Sequence, residues 1–414
     1  MDLGLNDEQT MLAETAKDVF GRAAGDPGHA PEDGLALRTD VWAAVAQLGL
    51  TGLTVPEEYD GAGAGVAEVY AAMSAAGAAA ATEPLIDGAY VASWLIGDLG
   101  DDGQRSTWLP RIAGGEAVVP LAHAEPGRSW MQDRTTTVTD GALHGTKTAV
   151  PVADAASAFL VTAVEDGDFG VYLVEAGADG LTLDVHRAAD WTRSALVTFD
   201  GTPAVRLGDG SGSGSGSGDR AAAALRAFRR ATALGRIAET AYAVGLAETA
   251  LSMTAGYLTV RKQFRVTLNK FQVLVHRAAQ MYSDVELTRS MALWATAVAE
   301  TAGGPVVGTA SGDASGDGSG DGDGGDSLDL LTSTADEAFA FVAGQARQIA
   351  EEAIQLHGGI GMTYEARISH VAAGLTAVTQ AFGGVLETRS RVLASGSPES
   401  APSALLHNEL AQEA

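Results

Sequence analysis

Cysteine is absent from all 414 residues. That excludes disulfides, thiolate nucleophiles and sulfur-ligated zinc or iron–sulfur sites, and it suits a reducing cytoplasm. Lysine is almost absent as well: Lys17, Lys147, Lys262 and Lys270 are the whole complement. With 53 acids against 26 bases the formal net charge is −27. No nucleic-acid partner is expected, because phosphate binding needs a basic surface. No uninterrupted apolar run reaches the length of a bilayer span, so no membrane partner is expected either. The N-terminus, Met1-Asp-Leu-Gly-Leu-Asn-Asp-Glu8, is acidic. A secretory signal would place a basic region before an apolar run. The expected location is therefore cytoplasmic. None of the eight histidines has metal-ligand spacing, and no metal is expected.

What is present is an ordinary apolar fraction, 46%, in a chain long enough for two or three domains. Residues 1–117 read as an N-terminal helical domain. A first helix starts at Asn6 or Asp7, with Leu12, Ala16, Val19 and Phe20 at helical spacing. The Ala-rich stretch near residues 70–82 reads as a buried helix. Residues 118–207 change to the two-residue period of strands, and form a middle antiparallel β domain. Asp140-Gly141 joins Thr135–Thr139 to Ala142–Thr146 as one hairpin. Glu165–Asp168 joins Phe159–Val164 to Phe169–Val174 as another, and Ala195–Phe199 adds a strand. Residues 208–219 are a Gly/Ser linker that buries nothing. Residues 220–398 read as a C-terminal four-helix bundle, with a disordered loop at 309–326 and a tail at 399–414. The seam of one bundle helix runs through Phe271, Leu274, Ala278, Met281, Val285, Thr288, Ala292 and Ala295. The Asp-rich 309–326 stretch has a calcium-binding alternative, but it lacks the bidentate Glu and apolar anchors of such a site. The last helix is expected near Val371 to Ala394. The fold class is thus α+β multidomain, in the order helices, sheet, bundle.

Two segments carry the chemistry. Gln355-Leu-His-Gly-Gly359 follows a long helical run. A glycine pair there lets the backbone approach a large polar ligand such as a phosphate, and the plainer alternative is a glycine C-cap at Gly358. Some eighty residues earlier stands Arg261-Lys-Gln-Phe264, with Gln272 beyond it. Together Arg261, Phe264, Gln272, Gln355, Gly358 and Gly359 match R-x-x-F, a later Gln, and Q-x-x-G-G. These motifs resemble the acyl-CoA dehydrogenase family. Gly52–Gly61 and Leu109–Glu116 resemble its N-terminal loop and the start of its middle domain.

The resemblance implies FAD as cofactor, lying between the β domain and the bundle across a subunit interface. It implies an acyl-CoA substrate whose α-proton goes to a carboxylate while the β-hydride goes to the flavin. An electron-transferring flavoprotein then takes the electrons. Arg261, Gln272, Gln355 and Gly358-Gly359 are implied to hold the pyrophosphate and adenosine end of a neighbour's FAD, with Phe264 packed beside it. Arg suits that role as a planar, permanently charged fork. Arg261, Lys262, Arg265 and Lys270 form the densest basic group of an otherwise acidic chain.

The departures from the family pattern are specific. The stretch that carries the catalytic Glu in many members is Gln380-Ala-Phe-Gly-Gly384 here, without an acid. The other position used for the base falls on Gly235; Glu239, four residues on, is a possible substitute or a structural residue. The flavin motif T-E-x-x-x-G-S-D appears as Ala124-Glu125-Pro-Gly-Arg-Ser-Trp-Met131, without its Thr and its Gly-Ser-Asp. The glycine usual after the motif Phe is Arg265. His357 and His276 are candidate ligand-facing side chains, and Tyr364-Glu365 is either a flavin-edge segment or a surface loop. The catalytic residue is unknown from sequence.

The chain would therefore lend a site and lack its own. That pattern, with Gly145–Asp154, resembles the actinobacterial steroid side-chain type, in which a subunit lacking the base pairs with a homologous base-bearing subunit. The leading expectation is the base-lacking partner in an α2β2 dehydrogenase. The alternatives are a self-sufficient homo-oligomer using Glu239 or another acid, a flavin oxidase of the same fold, and a non-catalytic assembly protein.

Overall fold

The computed structural model describes residues 4–23, 32–208, 217–302 and 323–395. The greater part of the expected 208–219 linker and 309–326 loop, and the whole 399–414 tail, lie outside the described residues.

The N-terminal part is helical: α1 (Asp7–Ala23), α2 (Thr39–Gln47), α3 (Val66–Ala79), α4 (Val91–Leu99) and α5 (Asp102–Ala113). Asn6 caps α1 reciprocally with Gln9: Gln9 N donates to Asn6 Oδ1 at 2.8 Å, and Asn6 N donates to Gln9 Oε1 at 2.9 Å. A π-turn at Ile86–Tyr90 leads into α4. Such bulges re-aim a helix face and cluster at functional sites.

The middle part is one sheet. It comprises β1 (Leu121–Ala122), β2 (Thr137–Thr139), β3 (Ala142–Pro151), β4 (Ala158–Glu165), β5 (Asp168–Glu175), β6 (Leu181–Arg187), β7 (Arg193–Pro203) and β8 (Val205–Arg206). The order is β6-β7-β3-β2-β4-β5-β8, with β1 beside β4. Both expected hairpins form, β2–β3 and β4–β5, each antiparallel. Two short pairs, β1–β4 and β2–β4, run parallel. Strand β6 escaped the sequence reading because its residues are nearly all exposed, which leaves no inside-outside alternation to read.

The chain ends in a bundle of α6 (Ser217–Val260), α7 (Gln272–Ala302), α8 (Asp323–His357), α9 (Arg367–Val378) and α10 (Gly384–Ala394). A small hairpin of β9 (Lys262–Gln263) and β10 (Val266–Thr267) joins α6 to α7. Met281, Val285, Thr288, Ala292 and Ala295 of the expected α7 seam are buried. The single last helix expected near Val371 to Ala394 is two helices. Phe382, Gly383 and Gly384 have φ of 49°, 91° and 85°, a left-handed run that no α-helix continues.

Helices α3 and α6 lock the N-terminal part onto the bundle at very close range. A Cβ on Gly77 would overlap the backbone oxygen of Tyr242, and one on Gly245 would overlap that of Ser74. Around this crossing, Val69, Tyr70, Ala72 and Met73 share a core with Ala231, Leu234, Ile237 and Ala241 of α6.

Candidate functional site

The six motif residues gather at one end of the bundle. Arg261 closes α6, Gln272 opens α7 and Gln355 lies in the last turn of α8. Two contacts draw these helix ends together. The rings of Tyr257 and His357 stack with centroids 4.5 Å apart. Arg277 makes a two-pronged ion pair with Glu352, at 2.9 and 2.7 Å.

Arg261, Phe264, Gln272, Gln355, Gly358 and Gly359 are all exposed, as are Lys262, Arg265 and Lys270. Phe264 is 86% exposed. It occupies the tip of the β9–β10 hairpin beside Arg265, with φ of 50° and 68°. Since Gln263 pairs with Val266, this is a two-residue turn whose central positions both demand left-handed backbone. The missing family glycine at Arg265 thus falls where glycine would relieve about 1 kcal/mol of strain.

Gly358 has φ +70° directly after α8, so it ends the helix as a glycine cap. Gly359 is different. A Cβ added there meets nothing within 4 Å, so this chain's own packing does not require a glycine. His357 is buried, and its Nδ1 donates to Ala353 O at 2.8 Å; it packs under the turn. His276 stays exposed, with Nε2 3.3 Å from Gln272 Nε2. Tyr364 packs edge-on against Trp191 at 4.9 Å and His370 at 4.4 Å, which ties the loop after α8 to the sheet.

At both positions expected to hold a base, buried Gly235 and exposed Gly383, an aromatic residue occupies the space a side chain would need. A Cβ on Gly235 would stand 2.5 Å from Phe382 Cζ, and one on Gly383 would stand 2.5 Å from Trp130 Cβ. Trp130 meets Phe382 edge-on at 5.9 Å and lies 4.4 Å from His123, which is 4.4 Å from Phe228. Glu387 of α10 fastens this loop by accepting from Ser129 Oγ, Trp130 N and Met131 N at 2.8, 2.8 and 2.9 Å. Glu125, the surviving letter of the flavin motif, is a buried hub. It accepts from Lys147 Nζ at 2.8 Å and from the backbone and hydroxyls of Thr135 and Thr136.

Between sheet, N-terminal helices and bundle lies a cavity of about 460 Å³. Its walls include Met73, Ile86, Val91, His123, Trp130, Ala149 and Phe382, together with Glu83, Asp87, Asp190, Glu239 and Tyr242. Burial, and then the charges of Asp87 and Asp190, push Glu239 up to about 8. Burial, and then Asp190, push Asp87 up to about 6. The sequence named Glu239 but missed Asp87 and Asp190, which lie far from it along the chain and show no motif.

An FAD dinucleotide is well matched by the bundle end, where guanidinium, amides and open glycine backbone suit a diphosphate. Its reacting end is poorly matched by this chain's cavity. Carboxylates oppose the negative charge that develops on an enolate or a reduced flavin.

Helical domain, mainly antiparallel sheet and long-helix bundle follow one another in the order of an acyl-CoA dehydrogenase fold. The family model for the acyl-CoA dehydrogenase N-terminal domain matches residues 6–116, and that for the C-terminal domain matches residues 225–314. The chain belongs to the acyl-CoA dehydrogenase family, whose cofactor is FAD, and it resembles the actinobacterial steroid type. Acyl-CoA dehydrogenase FadE28 of Mycobacterium tuberculosis is 29% identical over 265 residues, 63% of this chain and 73% of the relative. A solved variant of the Tcur3481–Tcur3483 steroid dehydrogenase is 26% identical with a TM-score of 0.74, covering 96% of this chain and 99% of that one. The ChsE4–ChsE5 complex from Mycobacterium tuberculosis shares the fold, with a TM-score of 0.76 at 22% identity over 97% of this chain and all of that one. Among the described residues no helix is long and apolar enough to cross a membrane.

Proposed function

We propose that this chain is the base-lacking partner subunit of an α2β2 acyl-CoA dehydrogenase. In that complex its bundle end helps to hold an FAD that lies mainly in a homologous, base-bearing subunit. The observation that carries the proposal is the ring of Phe382, packed over Gly235 where a carboxylate would have to stand. The neighbouring position, Gly383, abuts Trp130 in the same way.

Arg261 and Gln272 would donate to the diphosphate, Gln355 and the Gly358-Gly359 backbone would meet the adenosine end, and Phe264 would cover it. When bound, FAD supplies the acceptor for the hydride of the acyl β-carbon. Phe264, Ile360 and Met362, all exposed apolar residues at this end, fit a subunit interface. The names Tcur3481–Tcur3483 and ChsE4–ChsE5 each join two polypeptides, which supports a heteromeric arrangement. The substrate would be an acyl-CoA, with a bulky ring-bearing acyl group suggested by the steroid type. An electron-transferring flavoprotein would reoxidise the flavin, in a cytoplasmic setting.

Co-expression with a base-bearing homologue should give a yellow complex with half a flavin per chain, and Arg261→Ala should strip that flavin. A colourless complex, or full flavin retention in the variant, contradicts the lending role. A second reading is a self-sufficient homo-oligomer using Glu239, favoured by that carboxyl's place on the cavity wall. Turnover by the isolated chain, lost in Glu239→Gln, would select it.

A further inference from the structure

A cleft of about 530 Å³ opens between α6, α8 and α10 and shares no lining residue with the interdomain cavity. Two guanidinium groups in its wall, Arg236 of α6 and Arg391 of α10, share one carboxylate, Asp336 of α8. Asp336 accepts from Arg391 Nε and Nη2, both at 2.8 Å, and its Oδ1 stands 3.4 Å from Arg236 Nη1. The sharing leaves donors over. Arg236 is 4% exposed, and its Nε is buried with no hydrogen-bond partner. Arg391 Nη1 is buried without one as well, with Glu387 Oε1 3.7 Å away. Buried donors that lack acceptors carry a desolvation cost, which an incoming acceptor removes. The third guanidinium, Arg229, is committed to Asp329 at 2.7 Å and Thr332 at 3.2 Å. Phe228, Leu330 and Val392 give the cleft an apolar wall, and Leu330 is 51% exposed.

The chain itself leads out of this cleft. Ser395, in the cleft wall, is the last described residue, and residues 396–414 follow it. They hold Glu399, Glu409 and Glu413 and no lysine or arginine. Gly396-Ser397-Pro398, just beyond α10, is turn-forming sequence that suits a reversal of direction. Past Pro402, the residues Leu405, Leu406, Glu409, Leu410 and Glu413 fall on one face at helical spacing. That face mixes apolar groups with acceptors, as the cleft mixes an apolar wall with unpaired donors. The stretch from Ser395 to Leu405 can span up to about 33 Å, so the return to the cleft is within reach.

We propose that residues 403–413 fold back onto the chain's own cleft, seating the three leucines on Phe228, Leu330 and Val392 and presenting Glu409 to Arg236 and Arg391. The segment is then a built-in strap that closes the cleft to other solutes. A small anion would satisfy the arginines but leave the apolar wall open, and a hydrocarbon would leave the arginines unpaired. The strap meets both needs on one face. Its tether also holds it at an effective concentration on the order of millimolar, so a weak contact suffices to keep it seated. Neither flavin nor the bundle end takes part, so the strap is tested separately from the partner-subunit reading.

The absence of cysteine makes the test direct. Leu406→Cys gives the full chain a single thiol, which is labelled with a benzophenone maleimide and irradiated, with the partner present if the two purify together. Mass spectrometry of the digest should find the label joined, within the same chain, to peptides containing Phe228 to Arg236 or Asp329 to Glu337. A label placed instead at Leu330→Cys should join peptides from residues 399–414. Glu409→Arg, which lies outside the described fold, should lower either yield at least fivefold. Crosslinks to other surfaces, crosslinks only between chains, no crosslink from either position, or an unchanged yield in Glu409→Arg each overturn the proposal.

Discussion

Lys147 is wholly buried, and the charge it carries is matched by Glu125 at 2.8 Å. Burial pulls the lysine down to about 8 against the pull of its partner. Burial alone would push Glu125 up. The hydrogen bond from Lys147 and those from Thr135 outweigh it and hold the carboxyl well below the usual range. A depressed carboxyl contributes stability above its unfolded value, about pH 4.3, and loses it as pH falls toward the folded value. Removing the lysine reverses this. Lys147→Met takes the buried cation from Glu125, leaves the carboxylate to the Thr135 and Thr136 donors, and should cost about 3–5 kcal/mol at pH 7. With its cation gone, only the threonine hydrogen bonds oppose the upward push of burial on Glu125, so its carboxyl protonates at higher pH than in wild type and the gap to wild type should narrow near pH 4. Urea unfolding of both proteins at the two pH values measures this, and Glu125→Gln in the same chain should recover part of the loss. In the sequence Glu125 stood out only as a remnant of a flavin motif. Its role as a hub depended on strand β3 delivering Lys147, which no spacing along the chain announces.

At the scale of elements, the helices were the most legible part. The α7 seam and the buried Ala-rich α3 follow from apolar spacing, and the start of α1 from a cap at Asn6 or Asp7, of which Asn6 caps through Gln9. The break between α9 and α10 was hidden, because Phe382 is an ordinary helix residue by propensity and takes a left-handed φ only through its packing on Gly235 and Trp130. The α3–α6 crossing was hidden for the same reason. Gly77 and Gly245 look like mild helix weaknesses in sequence, yet each faces the other helix's backbone. Gly245→Ala should cost about 1–3 kcal/mol, although alanine is the better helix former, because the helices must separate to admit the methyl group. A denaturant midpoint at or above wild type would show that the crossing yields freely.

Across the whole molecule, the excess of acids sets a repulsive field. A net charge of −27 opposes compaction, and the basic bundle end stands against it. Raising NaCl from 20 to 500 mM should therefore lift Tm by a few degrees, since salt screens self-repulsion between exposed charges. A Tm that falls with salt would mean that attractive surface pairs such as Arg347–Glu351 and Arg229–Asp329 dominate instead.

The sequence by itself determined the family, the three-part order and the six residues of the bundle end. Those signals are local: a helical period, a hairpin turn and two short motif segments, Arg261 to Gln272 and Gln355 to Gly359, each readable within its own stretch of chain. Only the tertiary structure decided that the Phe382 ring covers Gly235 and Trp130 abuts Gly383, and that Asp87, Asp190 and Glu239 line one cavity. Those facts depend on contacts between segments far apart in the chain, where packing in space leaves no periodicity to read.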